Sequence, residues 1–476
     1  MYKNPQKAIG KPGNTVVLSN INNMKKKKFR DYQPDQIMLF PPSVHDWLPP
    51  NHLAHFINEV VYHIDLSAIY DDYSELTGQP PYDPTMMVKI LIYAQAKGIN
   101  SSRKIEQALY EDIGFRFLSC NQQPNFWTIS EFRRRHRLAL ENILCESIRL
   151  ADESGFIKMN QVAVDGTKIK ANASKHSAMS YGYMVKEEER LKKSIQDYLD
   201  QLDANDRDDD ENYGDNSGWE LPEELSTAQK RLEAIKKAKA ALETEAIAKA
   251  KEKQDQNKDS AEKQGKGYKP RKDPEQAKPE DKDQYNFTDP ESRIMKNSDK
   301  AFVQAYNAQA TVDVDSHIIL AADVTDNSSD RKQLQPQVQQ VEQNTGRKPG
   351  ICSADAGYFS ENNLEYLESE KINALIPPDK IKHSEWRAKV RYYGPIPKNA
   401  SRAYRMRRIL TTKQGRALYK HRMTSVEPVF GFIKEQLHLR QFLHRGIDKV
   451  RSIWRFTCGV HNLLKLYRAG IRFQTV

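Results

Sequence analysis

The chain has 476 residues, with 74 lysines and arginines against 64 aspartates and glutamates, which gives a formal net charge of +10. A chain of this length is longer than one typical domain and buries at least one large core, which excludes a single small module. It lacks an apolar run of about 18 residues and an apolar stretch after its first basic residues, so we expect no membrane span and no signal peptide, and the basic balance favours a polyanionic partner.

The first third of the chain is predicted to be a flexible arm followed by helices. Residues 1–35 are polar and end in a basic run, MKKKKFRDYQ, whose composition is typical of a flexible arm. From 36 to 155, apolar residues recur at helical spacing in segments that open at Pro84, Ser101 and Thr128. Short connections between these segments suit a compact all-helical domain of the helix-turn-helix kind.

The pattern changes from helices to strands after residue 155. Residues 161–174 place small and β-branched residues before Asp165 and a glycine directly after it, which predicts a buried strand that ends there in a turn. Four later runs are also predicted strands: residues 301–314, 317–326, 349–357 and 372–378. With a helix predicted at 360–370, this alternation indicates a mixed α/β sheet domain formed by residues 156–180 and 290–470.

Residues 181–289 are predicted to be an insertion between the first and second strands. Two segments in it carry leucines and isoleucines at helical spacing, which predicts an antiparallel helical hairpin. The following stretch, 249–284, has almost no large apolar residue, so we predict that it is disordered. A long insertion is tolerated because the entropy of closing a loop grows slowly with its length.

Three acidic residues stand out because of where they fall in these predicted elements. Asp165 follows the apolar run VAV, and Asp355 ends the run GICSAD. Glu427 is predicted to begin an amphipathic helix, VEPVFGFIKEQL, with Pro428 in its first turn. Functional groups gather beyond the carboxyl ends of strands in α/β sheets, so we expect the two aspartates to converge and the glutamate to complete the cluster.

Each of these acids has an ordinary structural explanation when it is taken alone. An aspartate before a glycine is commonly a turn residue, and a glutamate in a first helical turn is favoured by the helix dipole. A cluster of three is different, because carboxylates packed together without a metal raise one another's pKa. Hard oxygen ligands suit Mg²⁺ or Mn²⁺, and a pair of such ions activates the nucleophile and stabilises the leaving oxygen in phosphodiester cleavage.

The stretch YKHRMTSVEPVFGFIK resembles the Tyr-Arg-Glu-Lys signature of bacterial insertion-sequence transposases in the DDE superfamily. Its members here are Tyr419, Arg422, Glu427 and Lys434, with four residues between the arginine and the glutamate where the common form has three. VAVDGTKIKANAS and ICSADAGYFS resemble the two aspartate motifs of that group. The helical region is similar to the domain that precedes the catalytic core in these enzymes.

The resemblance extends from about residue 36 to 470 and implies a function. It implies a ribonuclease H-like core in which Asp165, Asp355 and Glu427 are the catalytic metal ligands. The implied cofactor is Mg²⁺, with Mn²⁺ as a substitute and two ions per active site. The implied partner is double-stranded DNA, cut at the terminal inverted repeats of an insertion sequence and joined to a target by a homodimer or higher multimer. Such an enzyme is expected in the bacterial cytoplasm, associated with the nucleoid and not with a membrane.

Further residues are predicted to contact DNA. Tyr419, Arg422 and Lys434 belong to the signature, and Lys434 lies seven residues past Glu427, so on one helix the two share a face about 10.5 Å apart. From 402 to 455 arginines are frequent and acids are few, which favours phosphate contacts. The candidates for recognising element ends in the helical region are Arg103, Lys104, Arg133, Arg134 and Arg135.

Three other interpretations stay open at this point. A metal-dependent nuclease that cuts without joining would use the same carboxylates, and strand-transfer products would distinguish the two enzymes. A DNA-binding regulator of transposition with a decayed catalytic core would lack part of the cluster, whereas all three carboxylates and Lys434 are present here. A structural coiled-coil protein would account only for the predicted hairpin.

Overall fold

A computed structural model describes residues 43–73, 80–210, 223–263, 273–297, 301–379, 394–397 and 399–473. The predicted basic arm at 1–35 lies outside the described residues. None of the helices in the described part of the chain is both long and apolar enough to cross a bilayer.

The N-terminal region is helical. Its helices are α1 Val44–Trp47, α2 Leu53–Val60, α3 Ser67–Tyr70, α4 Pro84–Ala96, α5 Ser102–Glu111, α6 Ile113–Leu118, α7 Phe126–Arg135, α8 Arg137–Glu141 and α9 Ile143–Glu153. The start of α4 follows from its sequence, because Asp83 accepts a hydrogen bond from the Met86 amide at 2.9 Å and Pro84 takes the first helical position.

The prediction of one long helix opened by Thr128 is wrong. The segment forms three helices, α7 to α9, and the N-cap of the first is Asn125, whose side chain accepts a hydrogen bond from the Thr128 amide at 2.8 Å. The segment breaks at His136 and again at Asn142. Asparagine is as strong an N-cap as serine or threonine, so the helix begins before Thr128.

A mixed sheet forms the centre of the second region. The strands of the chain are β1 Gln161–Lys170, β2 Ala178–Ser180, β3 Gln284–Asn286, β4 Arg293–Lys296, β5 Phe302–Asp313, β6 Ile319–Thr325, β7 Ile351–Ala354 and β8 Asn373–Leu375. The main sheet has the order β4-β5-β1-β7-β8, and β6 also pairs with β5. β1 is antiparallel to β5 and parallel to β7, which in turn is parallel to β8. β2 and β3 pair separately.

β1 does not end at Asp165, and the predicted turn there is wrong. The strand continues to Lys170, and Asp165 lies in its middle, paired with Ala310 of β5. Val162, Ala163 and Val164 are fully buried and fix the strand in the core. The glycine that follows Asp165 therefore has another reason, given below.

The inserted segment forms two long helices, α10 Tyr181–Asp210 and α11 Glu223–Lys263. They pack through their own small core, which includes Leu191 of α10 and Leu232, Ile235 and Leu242 of α11. Because α11 continues to Lys263, the prediction of disorder from residue 249 is wrong for the part up to 263.

The remaining helices surround the sheet. They are α12 Leu334–Thr345, α13 Glu361–Ser369, α14 Arg402–Thr411, α15 Lys413–Glu435 and α16 Ile447–Arg468. α16 lies against the sheet, with the Trp454 indole Nε1 donating to the Gln309 carbonyl at 2.9 Å. Asn462 fastens it to β6 by accepting from the Ile319 amide and donating to the Ile319 carbonyl.

Glu427 does not begin a helix, so that prediction is wrong. It lies in the second half of α15, and Pro428 is inside the helix. Proline removes one amide donor to the carbonyl four residues earlier. The helix continues because Val426, Val429 and Ile433 bury one face of it in the core. The predicted fold class is confirmed: a mixed-sheet α/β core, an all-helical N-terminal region and an inserted helical hairpin.

Candidate active site

The two predicted aspartates lie on neighbouring parallel strands. Val164 of β1 pairs with Ala354 of β7, so Asp165 and Asp355 occupy the next register position, where adjacent strands are about 4.8 Å apart. β7 ends at Ala354, and the Asp355 carboxylate caps the turn that follows by accepting from the Gly357 amide at 2.8 Å. The expected convergence of these two residues is therefore met.

The environment of Asp165 opposes its negative charge. The pKa of Asp165 is raised to about 6: burial raises it most, Arg422 lowers it, and the charge of Asp355 raises it. A carboxyl group that is buried beside a second carboxylate is short of positive charge. A divalent cation bound between the two would supply that charge.

Arg422 and Tyr419 reach this site from α15. The Arg422 Nη1 donates to Asp165 Oδ2 at 2.8 Å, and the guanidinium lies 5.9 Å from the centre of the Tyr419 ring. Burial opposes the charge of Arg422, but Asp165, Tyr419 and Asp355 together raise its pKa. The Arg422 Nε is buried and has no hydrogen-bond partner among the described residues. Two signature residues predicted to contact DNA are thus beside the aspartates.

Glu427 lies on α15, the helix that contacts β1, and is not part of the contact between Arg422 and Asp165. The Leu418 carbonyl accepts from Gln161 Nε2 at 3.0 Å, and the Lys170 amide donates to the Arg440 carbonyl, so α15 runs alongside β1. Glu427 is five residues past Arg422, about 140° around the helix axis, so it is not on the face of α15 that carries Arg422.

The side chain of Glu427 is exposed. No hydrogen bond or ion pair within the described part of the chain links it to Asp165 or Asp355. Lys434 is half-buried on the same helix, seven residues further on. In this structure the glutamate therefore stands apart from the aspartate pair.

A metal would find two of its predicted ligands, Asp165 and Asp355, together here, while Glu427 stands apart from them. Among the described residues, no three acidic, histidine or cysteine side chains converge closely enough to hold an ion. The donor chemistry nevertheless fits a hard divalent cation, because Asp165 and Asp355 present carboxylate oxygens and repel each other without one.

A third carboxylate near the pair was missed from the sequence. Asp330 lies between β6 and α12, and its Oδ1 accepts from Lys168 Nζ at 3.1 Å, Asn307 Nδ2 at 2.7 Å and Gln309 Nε2 at 2.9 Å. The Gln309 amide oxygen in turn accepts from the buried Tyr358 hydroxyl. This network ties β1, β5 and the turn after β7 together.

Two glycines make room for this network. A Cβ at Gly166 would stand 2.3 Å from Gln309 Nε2 and 2.9 Å from Asp330 Oδ1, and a Cβ at Gly357 would stand 2.9 Å from Asp355 Oδ1 and 3.6 Å from Asp330 Oδ2. The glycine that follows each aspartate is thus required by close approach to neighbouring carboxylates and amides, and the turn explanation does not hold for Gly166. Asp330 lies in a polar stretch that looks like any loop, so its sequence gave no signal.

Three of the candidate DNA contacts in the helical region, Arg103, Arg134 and Arg135, have aromatic or acidic neighbours. The Arg103 guanidinium stacks over the Phe126 ring at 4.6 Å, and Lys104 next to it is exposed. Arg135 lies 3.9 Å from a carboxylate oxygen of Asp72 and also donates to the Asp72 carbonyl. Arg135 is therefore held by the protein itself.

Arg133 and Arg134 project from the same turn of α7 in different surroundings. The Arg133 Nη1 donates to the Asn100 carbonyl at 2.9 Å, and no acid pairs with it in the described part of the chain. Arg134 forms an exposed ion pair with Glu131 on the same helix. Exposed pairs of this kind contribute about 0–1 kcal/mol, so Arg134 stays available to another anion.

Many arginines between 402 and 455 are neutralised by acids that are distant in sequence. Arg402 pairs with three glutamates of α13, Arg407 with Asp379 and Arg451 with Asp323. Local sequence, where acids are few, therefore overstates the positive charge of this region. The tertiary fold brings in the missing acids.

Comparison with protein families decides the identity of the chain. A family model described as a transposase DDE domain matches residues 261–463, and a second, described as Transposase domain (DUF772), matches residues 42–135. The chain belongs to the insertion-sequence DDE transposases. No curated protein and no solved structure matches it.

The two matched ranges cover different parts of the transposase. The DDE match includes Asp355 and Glu427, whereas Asp165 lies between the two matched ranges. The placement of Asp165 in the site rests on the pairing of β1 with β7 and on its contact with Arg422. Enzymes of the DDE family act on DNA and use divalent metal ions.

Proposed function

We propose that this transposase cleaves DNA at the terminal inverted repeats of an insertion sequence and joins the freed ends to a target. The observation that carries the proposal is the pair of carboxylates, Asp165 and Asp355, on adjacent parallel strands with Arg422 beside them. Asp355 directly follows the carboxyl end of β7, and α/β sheets bind substrates beyond the carboxyl ends of their strands.

Asp165, Asp355 and Glu427 are the proposed metal ligands. Bound there, Mg²⁺ or Mn²⁺, two ions per site, supplies an activated nucleophile and a stabilised leaving oxygen. Glu427 is exposed on α15, so it would have to move toward the two aspartates to join them as a ligand. Asp165 is poised to lose its proton near neutral pH, because burial and Asp355 raise its pKa to about 6.

The remaining residues of the site bind and orient DNA. Arg422 and Tyr419 lie beside the carboxylates, where a guanidinium and a phenol suit a flanking phosphate. Lys434 on α15 is proposed to contact phosphate further along the same helix, and Arg103, Lys104, Arg133, Arg134 and Arg135 to contact the element ends. We propose that a homodimer or higher multimer brings two ends together in the bacterial cytoplasm, at the nucleoid.

Cleavage and strand transfer on DNA with the element's own ends, in Mg²⁺ or Mn²⁺, test this function. Wild type is expected to cut and join, whereas Asp165→Ala, Asp355→Ala and Glu427→Ala are expected to bind the same DNA and do neither. Cleavage without joined products would support the nuclease alternative. Full activity of the three variants would mean that the active site is elsewhere.

A further inference from the structure

A cavity of about 420 Å³ lies where the helical region meets the C-terminal helix. Arg133 and Arg134 of α7 and Arg137 of α8 line one side, and Lys449 of α16 lines the other. Apolar side chains complete its lining. Aspartate and glutamate are absent from the described residues that line it.

The deeper cations of this pocket are held by neutral groups. Arg137 Nη1 donates to the Asp448 carbonyl at 2.9 Å and to the Ser452 hydroxyl at 2.8 Å, while Arg133 donates to a backbone carbonyl. A carbonyl or hydroxyl acceptor fixes a guanidinium without cancelling its charge. These side chains are therefore ordered for binding an anion, unlike the arginines of α14 and α16 that pair with carboxylates.

A histidine, His444, lines the same pocket as these cations. Burial lowers the pKa of His444, and the charges of Arg133 and Lys449 lower it further. Burial alone lowers the pKa of Arg133, without a compensating acid. An anion in the pocket would relieve the repulsion among these cations.

The pocket lies beyond the end of the strand that carries Asp165. The loop from α15 to α16 is fastened there, with the Phe442 amide donating to the Lys170 carbonyl at 2.9 Å and Asn172 Nδ2 donating to the Leu443 carbonyl at 2.8 Å. Lys170 is five residues past Asp165, about 17 Å along the strand. One DNA strand spans that distance in about five nucleotide steps of 3.4 Å.

We propose that this pocket binds a backbone phosphate of duplex DNA several nucleotides from the cleaved bond. The inference rests on the proposed function for its substrate and adds a docking site at the junction of the two regions. Guanidinium forks match the oxygens of a phosphodiester, and the fixed geometry sets the register of the duplex relative to the carboxylates. The contact carries no sequence information of its own.

The test uses the double variant Arg134→Gln/Lys449→Gln, because both side chains are exposed and their loss leaves the core intact. The matched control is Lys236→Gln/Lys237→Gln on α11, which removes the same charge from exposed positions. Binding to a duplex with the element's terminal sequence is measured in EDTA over a series of NaCl concentrations. Thermal unfolding checks that each variant is folded.

The pocket variant is expected to reduce the slope of log affinity against log salt concentration by about 1. Its DNA affinity at low salt should fall by about tenfold or more. Both changes should be the same for the terminal sequence and for an unrelated sequence. The control should match wild type. An unchanged slope with cleavage intact overturns the pocket and leaves the proposed function standing. Binding of inorganic phosphate that the pocket variant abolishes, with duplex affinity unchanged, would assign the pocket to a small anion instead.

The assay contains no metal and measures binding only. Its result therefore does not depend on whether the three carboxylates are catalytic. A wild type that binds no duplex at all would overturn both the pocket and the proposed function.

Discussion

Arg422 and Asp165 form an ion pair in the interior of the site, with 2.8 Å between Nη1 and Oδ2. Both side chains are largely shielded from solvent, at 10% and 19% exposure, so the interaction is screened little by water. The guanidinium is the main influence that keeps the pKa of Asp165 from rising above about 6. The arginine therefore controls the pH at which this carboxyl group is ready to bind a metal.

Replacing Arg422 by glutamine is expected to raise the pKa of Asp165 further. An adjacent opposite charge lowers a carboxyl pKa by roughly 1–3, so the acidic limb of the pH–activity profile should move upward by about one pH unit or more. The profile of Mg²⁺-dependent cleavage measures this. Arg416→Gln, an exposed change on the same helix, should leave the limb in place. If the acidic limb of the profile does not move in Arg422→Gln, the ion pair with Arg422 does not set the ionisation of Asp165.

Asp165→Asn is expected to abolish activity and to stabilise the metal-free fold at alkaline pH. The folded pKa is raised from 3.8 to about 6, so the protonated form is the stabilised one. The stability that this protonated carboxyl contributes is complete below the pKa of the unfolded chain, 3.8, and is lost as the pH rises through about 6. The change in the free energy of unfolding is roughly 3 kcal/mol. Asparagine mimics the protonated form at every pH.

Thermal unfolding in EDTA between pH 4 and pH 8 checks this linkage. The asparagine variant should unfold at a higher temperature than wild type at pH 8, and the two should converge near pH 4. Added Mg²⁺ should raise the unfolding temperature of wild type only, because ligand binding stabilises the state that binds it. The exposed Asp71→Asn is the control. A destabilised variant at pH 8 would contradict the burial argument.

The strands and the aspartate pair follow from sequence pattern because burial leaves a strong signal. Runs of apolar residues mark β5, β6, β7 and β8 within a few residues of where they occur. Asp355 at a strand end was predicted correctly for the same reason. Asp165 was placed correctly beside it, although its strand continues past it to Lys170.

The incorrect predictions concern residues whose structure depends on contacts with distant parts of the chain. Gly166 looks like a turn residue, but the reason for it is a side chain from another strand, Gln309, which sequence spacing does not reveal. Pro428 favours a helix start locally, and the buried face of α15 overrides that preference. Asp330 gave no local signal, since its importance comes only from the three donors that surround one of its oxygens.

Glu427→Gln is expected to reduce cleavage by more than the roughly 10–100-fold that the loss of a supporting residue around a metal costs. The amide keeps the size of the side chain but loses the anionic ligand. Glu435→Gln is the matched control, because Glu435 is exposed on the same helix and pairs with the exposed Arg440. Steady-state cleavage at several Mg²⁺ concentrations measures both. Equal activity of the two variants would remove Glu427 from the ligand set.

Asp330 and Lys168 are expected to be energetically coupled. Both are mostly buried, and Asp330→Asn leaves the Lys168 ammonium without its counter-ion. A double-mutant cycle with Lys168→Gln should give a coupling of about 1–2 kcal/mol in unfolding free energy. Asp330→Asn should also lower the cleavage rate by roughly 10–100-fold at unchanged DNA affinity, because it loosens the turn that holds Asp355. Asp326→Asn, at a half-buried neighbouring position that pairs with Arg293, serves as control. Additive effects in the cycle would show that Asp330 and Lys168 are not coupled.

Gly166→Ala tests whether close approach, and not a turn, explains the glycine after Asp165. Its Cβ would meet Gln309 Nε2 at 2.3 Å and the carboxylate of Asp330 at 2.9 Å, so strand and network must shift, at a cost of roughly 1–3 kcal/mol. The control is Gly431→Ala in α15, where no atom lies within 4 Å of the added methyl group and alanine favours the helix by roughly 0.5–1 kcal/mol. The unfolding temperature should therefore fall for Gly166→Ala and rise for Gly431→Ala. Because the network touches the turn of Asp355, Gly166→Ala should also lose cleavage activity even at temperatures where it is folded, whereas Gly431→Ala should keep it. If Gly166→Ala matches wild type in both measurements, the side chains of Asp330 and Gln309 move aside at little cost in free energy. The site would then be held in place by β1 and β7 alone.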